Sequence, residues 1–326
     1  MKKRLLEIVV CPSCKEKLRL KNETYVDQRV KSGVLLCEGC SKKYDVRDFI
    51  PRFVSSDSYV GNFSMEWTLH AKTQIDNERS NESLATFKIK TGFSDEDMIN
   101  KLVLDVGCGS GRFSDAALRM GAEVVGVDMS YSVDSAVFNL AHYDKFHPIQ
   151  ADIFNLPFKE ETFDIIFSIG VLHHTKDCKG AFKKLPALLK KNGKIAIWLY
   201  SSHLYRGIDG IVMELCRKIG CRMPKRILYL FCQMAALLYP VWNSRIAYRM
   251  WHLLLPGVIF HAIPRLSEDK RYDWRVLDNF DFFSPRYQSK HSYPEVYSWF
   301  REEGLKNIEL HDFEVAVKGE KQGQGG

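Results

Sequence analysis

Between residues 101 and 200 short apolar runs alternate with amphipathic stretches, and no other pattern restricts the fold of this chain so tightly. The rhythm is that of βα units feeding a parallel sheet. Strands are expected at 102–104, 124–127, 165–167 and 195–198, with helices at about 112–120, 131–141 and 178–191. Near the C-terminus the pattern predicts a helix over 293–303 and strands at 307–310 and 313–317. The short turn between those two strands favours an antiparallel hairpin. Residues 1–54 read as short strand-like pieces around paired cysteines, and Ser55-Ser56-Asp57-Ser58 as a linker into a segment, 55–100, that leads to the main domain. Residues 201–280, rich in Leu, Tyr, Trp, Met and Arg, break the βα rhythm. Their apolar run, 227–239, falls short of a ~20-residue membrane span and predicts a buried or interfacial helix. Residues 281–319 return to the main domain, and 320–326 form a polar tail expected to be disordered.

With 326 residues, 45% hydrophobic and 27% charged, the chain suits one globular domain plus a smaller module or insertion, and disorder of its bulk is not expected. The net charge of +7 is unevenly spread: residues 1–56 carry 13 Lys/Arg against 7 Asp/Glu, and residues 201–280 carry 12 against 6. Basic segments on an otherwise acidic body point to RNA, phosphorylated metabolites or an anionic membrane surface, with solvated lysines as the competing reading. The N-terminal apolar stretch is too short for a signal peptide, so a cytoplasmic location is expected, with peripheral membrane contact as an addition.

The first strand ends in an acid and runs into Asp105-Val106-Gly107-Cys108-Gly109-Ser110-Gly111. Glycines at every second position let backbone N–H groups approach a ligand that side chains would block. A dinucleotide site asks for G-x-G-x-x-G, and counting from Gly107 puts Arg112 at the last position. Asp105 would also repel a pyrophosphate, whereas the ammonium and sulfonium of S-adenosylmethionine (SAM) favour a carboxylate. Asp128 closes the next strand, where it can accept both ribose hydroxyls. Asp152, after Ile149-Gln150-Ala151, stands where it can take an adenine amino group. Each acid alone could be a turn residue.

These residues, with Phe163-Asp164-Ile165-Ile166, resemble the class I SAM-dependent methyltransferases, and within them the ubiquinone/menaquinone-type, small-molecule branch. The resemblance implies an α/β, Rossmann-like fold: a mostly parallel seven-stranded sheet ending in an antiparallel hairpin, here with an N-terminal zinc ribbon and a helical insertion. It implies Asp105, Gly107 and Gly109 at the methionine moiety, Asp128 at the ribose, and Asp152 and Ile153 at the adenine, with Cys108, Gly111 and Met129 as further cofactor-binding residues. Ser168, Ile169 and Gly170 would line the methionine side. The class usually has a helical cap upstream, where Phe63, Trp67 and Gln74 would close over the cofactor.

The fourth strand leads into His173 and His174, at the sheet edge where open α/β folds bind ligands. A neutral imidazole there could take a proton from an attacking hydroxyl or amine. Equally, the pair could only pack and bond the loop, because transfer to a good nucleophile can run on proximity alone. Ser168-Ile169-Gly170 stands where amino-group nucleic-acid methyltransferases carry N-P-P-[YF], which disfavours exocyclic base amines.

Cys11-Pro12-Ser13-Cys14 and Cys37-Glu38-Gly39-Cys40 have the spacing of a tetrahedral structural zinc site, with a redox pair or unrelated core cysteines as the alternatives. With Tyr44-Asp45-Val46-Arg47-Asp48-Phe49-Ile50-Pro51, this segment resembles the small zinc-binding activator that partners tRNA, rRNA and translation-factor methyltransferases. A four-cysteine element also precedes the catalytic fold in a guanine-methylating rRNA enzyme. The expected acceptor is a small-molecule or lipid-like compound, with RNA as the alternative. Residues 201–261 are expected to form a helical lid over it, in which Arg217, Lys218, Arg222, Lys225, Arg226, Arg245 and Arg249 hold an acidic head group. The competing reading is an extra core layer whose arginines face solvent.

Overall fold

The computed structural model describes residues 1–54, 73–76, 81–202, 208–237, 268–311 and 315–323. Phe63, Trp67, Arg245, Arg249 and the lid stretch 238–260 lie outside the described residues. Five strands build the parallel part of the sheet: β5 (Leu102–Val106), β6 (Glu123–Asp128), β7 (Phe146–Gln150), β8 (Phe163–Ile169) and β9 (Leu189–Trp198). The antiparallel pair β10 (Leu305–His311) and β11 (Ala316–Lys321) completes it, in the order β7-β6-β5-β8-β9-β11-β10. This is the expected seven-stranded, Rossmann-like sheet.

Apolar residues dominate β5, β6, β8 and the second half of β9 because both faces are covered. Leu104, Val106, Val125, Val127, Ile166, Ile195 and Ile197 bury on one face with Phe182, Trp299 and Phe300. Their strand neighbours Val103, Val124, Ile165, Phe167 and Ala196 bury on the other with Phe87, Ala116 and Ala117. The period of two thus serves two cores at once.

Helices Arg112–Arg119, Ser132–Asn139 and Tyr293–Glu302 fall where the periodicity predicts them. The helix expected over 178–191 does not extend that far. Cys178–Lys183 is helical, Pro186–Leu188 is a separate 3-10 turn, and β9 already begins at Leu189. Pro186 lacks the N–H needed to continue the helix.

The sheet extends beyond seven strands. β1 (Leu18–Val26), β2 (Arg29–Cys37), β3 (Lys43–Arg47) and β4 (Ile50–Arg52) form an antiparallel meander, and β4 pairs in parallel with β7 through Arg52 and Gln150. Among the described residues eleven strands therefore form one sheet. Leu5, Ile8, Val9, Val30, Leu35 and Val46 of the first segment share a core with the central strands. Val9 bridges to Phe158, and Lys15 Nζ donates to the Leu156 carbonyl at 2.9 Å.

In the insertion, helices Ile208–Gly220 and Lys225–Leu237 pack against helix Glu268–Phe283, and Leu228, Cys232, Ala236, Val276, Phe280 and Phe283 form a separate core. Ile211, Leu215 and Ile219 on the first helix, and Ile227, Leu230, Met234 and Leu237 on the second, are exposed. Of the predicted head-group cations, Arg217 is buried against Glu214 and the Pro285 carbonyl, and Lys225 Nζ donates to the Ser284 carbonyl. No helix among the described residues is long and apolar enough to cross a membrane.

Phe87, fully buried and edge-on to Phe167 at 5.0 Å, fixes helix Glu82–Thr91 on the sheet. Phe87→Ala is expected to cost ~3–5 kcal/mol in denaturant unfolding, the range for a large aromatic deleted from a core. A loss below ~1 kcal/mol would mean that the contact contributes little.

Candidate active site and metal centre

The turn after β5 is shaped by glycines that admit no side chain. Gly107 has φ +83°, and a Cβ there would lie 2.3 Å from Val171 Cγ2. Gly111 has φ +92°, and its Cβ would lie 2.7 Å from Leu140 Cδ1. The amides of Gly107 and Cys108 both donate to the Val127 carbonyl, at 2.7 and 3.0 Å, so the turn folds over the end of β6.

Asp128, at that end, joins the turn to the next loop. Its Oδ2 accepts from the Gly109 amide at 2.9 Å, and its Oδ1 from the Ser130 amide and hydroxyl, both at 2.7 Å. Asp105 lies deeper, only 2% exposed, and accepts from the Ser114 hydroxyl at 2.6 Å. Burial is the main cause that raises its carboxyl to about 7. The Asp128 charge adds to the shift and the Ser114 bond opposes it.

Asp152 caps the 3-10 turn Ile153–Asn155 by accepting from the Phe154 amide at 3.0 Å, and the Ala151 amide donates to the Asp128 carbonyl. Ser168 is fully buried and its hydroxyl donates to the Val106 carbonyl at 2.9 Å, tying β8 to β5. Ile169 is buried beside it, and Gly170 has φ +79°. Gln74 is buried, and its main-chain carbonyl accepts from the Ser83 hydroxyl.

His173 and His174 sit in the 3-10 turn Leu172–His174 beyond β8. His173 is fully buried and stacked on Tyr200 at 3.9 Å, and its two ring nitrogens have no hydrogen-bond partner among the described residues. His174 Nδ1 lies 3.1 Å from the Tyr287 carbonyl. Burial holds His173 well below the usual imidazole range and His174 down to about 4, so both are neutral at pH 7. A neutral ring so hard to protonate is a better hydrogen-bond acceptor than a proton store.

Sequence reasoning missed an ionic and aromatic cluster beside this turn. Lys90 Nζ lies 3.3 Å over the Trp198 ring, and the Arg112 guanidinium 4.8 Å over Trp274. Arg112 and Lys90 act electrostatically on Asp278. Burial pushes the Asp278 carboxyl up to about 7 and that of Asp281 to about 6, and lowers Arg112 to about 10. Only the place of Arg112, next to the glycine turn, could have flagged it.

In the first segment the four cysteine sulfurs lie within 4.8 Å of one another. Cys11 and Cys40 are 3.6 Å apart, and Cys14 and Cys37 3.3 Å. Four sulfurs at ~2.3 Å from one zinc would be ~3.8 Å apart, so the cluster fits a tetrahedral ion with no open position. The Cys40 amide points at Cys37 Sγ, and the Tyr44 hydroxyl lies 3.2 Å from Cys11 Sγ, donors suited to thiolates.

Residues 104–197 match the family described as methyltransferase domain, and residues 2–48 the Trm112p-like protein family. Both resemblances read from the motifs are thereby borne out. A tRNA U34 carboxymethyltransferase of Idiomarina loihiensis is 27% identical over 203 residues, 60% of this chain and 58% of that one. A ubiquinone biosynthesis O-methyltransferase of Coxiella burnetii is 39% identical over 97 residues, 29% and 42%. The chain thus spans about half the length of the curated relatives it matches. Among solved structures, an S-adenosylmethionine dependent methyltransferase from Mesorhizobium loti shares 24% identity at a TM-score of 0.30, covering 35% of this chain and 50% of that one.

Two outcomes are expected. Gly107→Ala should abolish measurable SAM binding in calorimetry, because the new methyl group meets Val171 in a backbone conformation alanine disfavours; wild-type affinity in this variant would contradict the turn geometry. Elemental analysis of protein prepared without chelator should find one zinc per chain, lost in Cys37→Ser, and a zinc-free wild type would exclude a metal centre.

Proposed function

We propose that this chain is a SAM-dependent methyltransferase acting on a small-molecule or lipid-like acceptor. The observation that carries the proposal is the junction of Asp128, the Gly107 to Gly111 turn and Asp105 at the carboxyl end of β5 and β6, within the segment that matches a methyltransferase domain. In this reading Asp128 and Met129 hold the ribose, and Asp152 and Ile153 the adenine. Asp105, the backbone of the turn, and Ser168 to Gly170 surround the methionine moiety. Bound SAM supplies a sulfonium-activated methyl group.

His173 faces the acceptor and orients its nucleophilic atom. Lys90, over the Trp198 ring that His173 meets edge-on, and Arg112 place basic side chains on this side of the site. The helices Ile208–Gly220 and Lys225–Leu237 exclude water from this side, and their exposed apolar residues support contact with a lipid surface in a cytoplasmic protein. The zinc, held by Cys11, Cys14, Cys37 and Cys40, is structural.

RNA is the second reading, supported by the excess of Lys/Arg in residues 1–56 and by the tRNA-modifying relative. Incubating the protein with labelled SAM and cell extract separates the two. Label in the organic-soluble or small-molecule fraction upholds the proposal, and label confined to RNA overturns its acceptor.

Asp128→Ala is expected to weaken SAM binding by ~1–3 kcal/mol, the loss for hydrogen bonds to a charged group. Unchanged affinity would remove Asp128 from the ribose site. The pH dependence follows from Asp105. Its carboxyl is protonated below about 7 in the free protein, whereas the cationic cofactor favours the ionised form. Affinity should therefore be full above pH 7 and fall as the pH drops through it, with protons released on binding at pH 6. Calorimetry in buffers of different ionisation enthalpy reads that release, and a pH-independent affinity between 6 and 8 would break the pairing.

A further inference from the structure

We infer that Arg52, the last residue of the cysteine-bearing segment's β4, is a positioning residue for the cofactor's ribose loop, and that it couples zinc loading to cofactor affinity. The inference rests on the SAM-binding reading given above. Arg52 is buried, and its guanidinium grips Asp134 with both arms, at 2.6 and 3.1 Å. The same Nη1 donates to Gln150 Oε1 at 2.8 Å, and Gln150 Nε2 donates to the Met129 carbonyl at 3.1 Å. The guanidinium also lies 5.5 Å over the Tyr131 ring.

One side chain from outside the βα domain thus fixes Met129, Tyr131 and Asp134, three of the six residues that follow Asp128. Asp128 depends on that loop for its own orientation, since Ser130 donates to it twice and shares a hydrogen bond with Ser132. A second contact is independent of Arg52. Ile50 of β4 buries with Cys108 of the glycine turn and with Val133, so β4 touches both walls of the cofactor cleft. A bidentate arginine fork holds its partner in one orientation in a way that a lysine cannot.

β4 in turn is set by the metal segment. It pairs with β3, whose Tyr44 contacts Cys11, and β3 pairs with β2, which ends in Cys37. A structural zinc site contributes folding energy to the segment that carries it. Loss of the ion would release β4 and with it the grip on the loop. Coupling of this kind is reciprocal: if zinc strengthens cofactor binding, cofactor must strengthen zinc retention by the same factor.

The test uses the full-length, zinc-loaded chain and does not require the acceptor. SAM dissociation constants are measured by calorimetry for wild type and for Arg52→Ala, Arg52→Lys and Asp134→Asn, with zinc content and thermal midpoint recorded for each. Arg52→Ala is expected to weaken SAM by about 5–150-fold, the usual span of coupling between sites, while retaining one zinc per chain. Arg52→Lys should recover only part of the loss, and the milder Asp134→Asn should weaken binding in the same direction. In parallel, saturating SAM should slow zinc transfer to a chromophoric chelator in wild type and clearly less in Arg52→Ala, where only the Ile50 contact remains.

A merely structural role for Arg52 would lower the thermal midpoint and leave the dissociation constant unchanged. That result, or zinc release indifferent to SAM, overturns the coupling. Failure of wild type itself to bind SAM would remove the cofactor reading and this inference together, whereas wild-type binding matched by all three variants removes the role of Arg52 alone.

Discussion

Three donors from two different loops converge on the carboxylate of Asp128: the Gly109 amide on one oxygen, and the Ser130 amide and hydroxyl on the other. Charge-assisted bonds of this kind are the stronger ones. They hold the first two βα loops at a fixed separation, the one that the proposed cofactor site requires. The sheet makes the convergence available, because parallel pairing of β5 with β6 in register brings Asp105 opposite Gly126 and Val106 opposite Val127. The loops at the carboxyl ends then have nowhere to go but toward each other.

Much of this was legible in the chain. Strands buried on two faces leave uninterrupted apolar runs, so β5, β6 and β8 could be read directly, and β9 by its apolar second half. The paired cysteines were legible because metal geometry dictates short spacing within a knuckle. The glycine turn was legible because positive φ at Gly107 and Gly111 leaves little choice of residue.

Other features left no periodic trace. The pairing of β4 with β7 rests on a single residue pair between distant segments, and no local pattern encodes it. The Lys90, Arg112, Asp278 and Asp281 cluster draws on three helices far apart in sequence, each charge looking like an ordinary solvated one until the helices pack. The misjudged helix after Cys178 shows the reverse error, in which apolar spacing was followed through a proline that ends it.

The insertion raises a related point about helices with two apolar faces. In Lys225–Leu237, Leu228 and Cys232 look inward to Phe280 and Phe283, while Ile227, Leu230 and Met234 on the opposite side are exposed. A helix that is apolar all round is ordinarily covered on both sides. The outward side of this one is therefore an apolar surface poorly suited to open water.

The single eleven-stranded sheet also has a meaning for how the two segments stay together. Two separate proteins meeting edge to edge would associate to an extent set by their concentrations. Here about 50 residues of polypeptide separate β4 from β5, so the encounter is intramolecular. A covalent link makes the second association an intramolecular event, whose effective concentration does not depend on how dilute the protein is. Stoichiometry is then one to one by covalent bond, and dilution cannot part the pair. An edge contact too weak to persist between free partners can serve as a permanent joint, and the chain is relieved of any need to recruit those four strands from elsewhere.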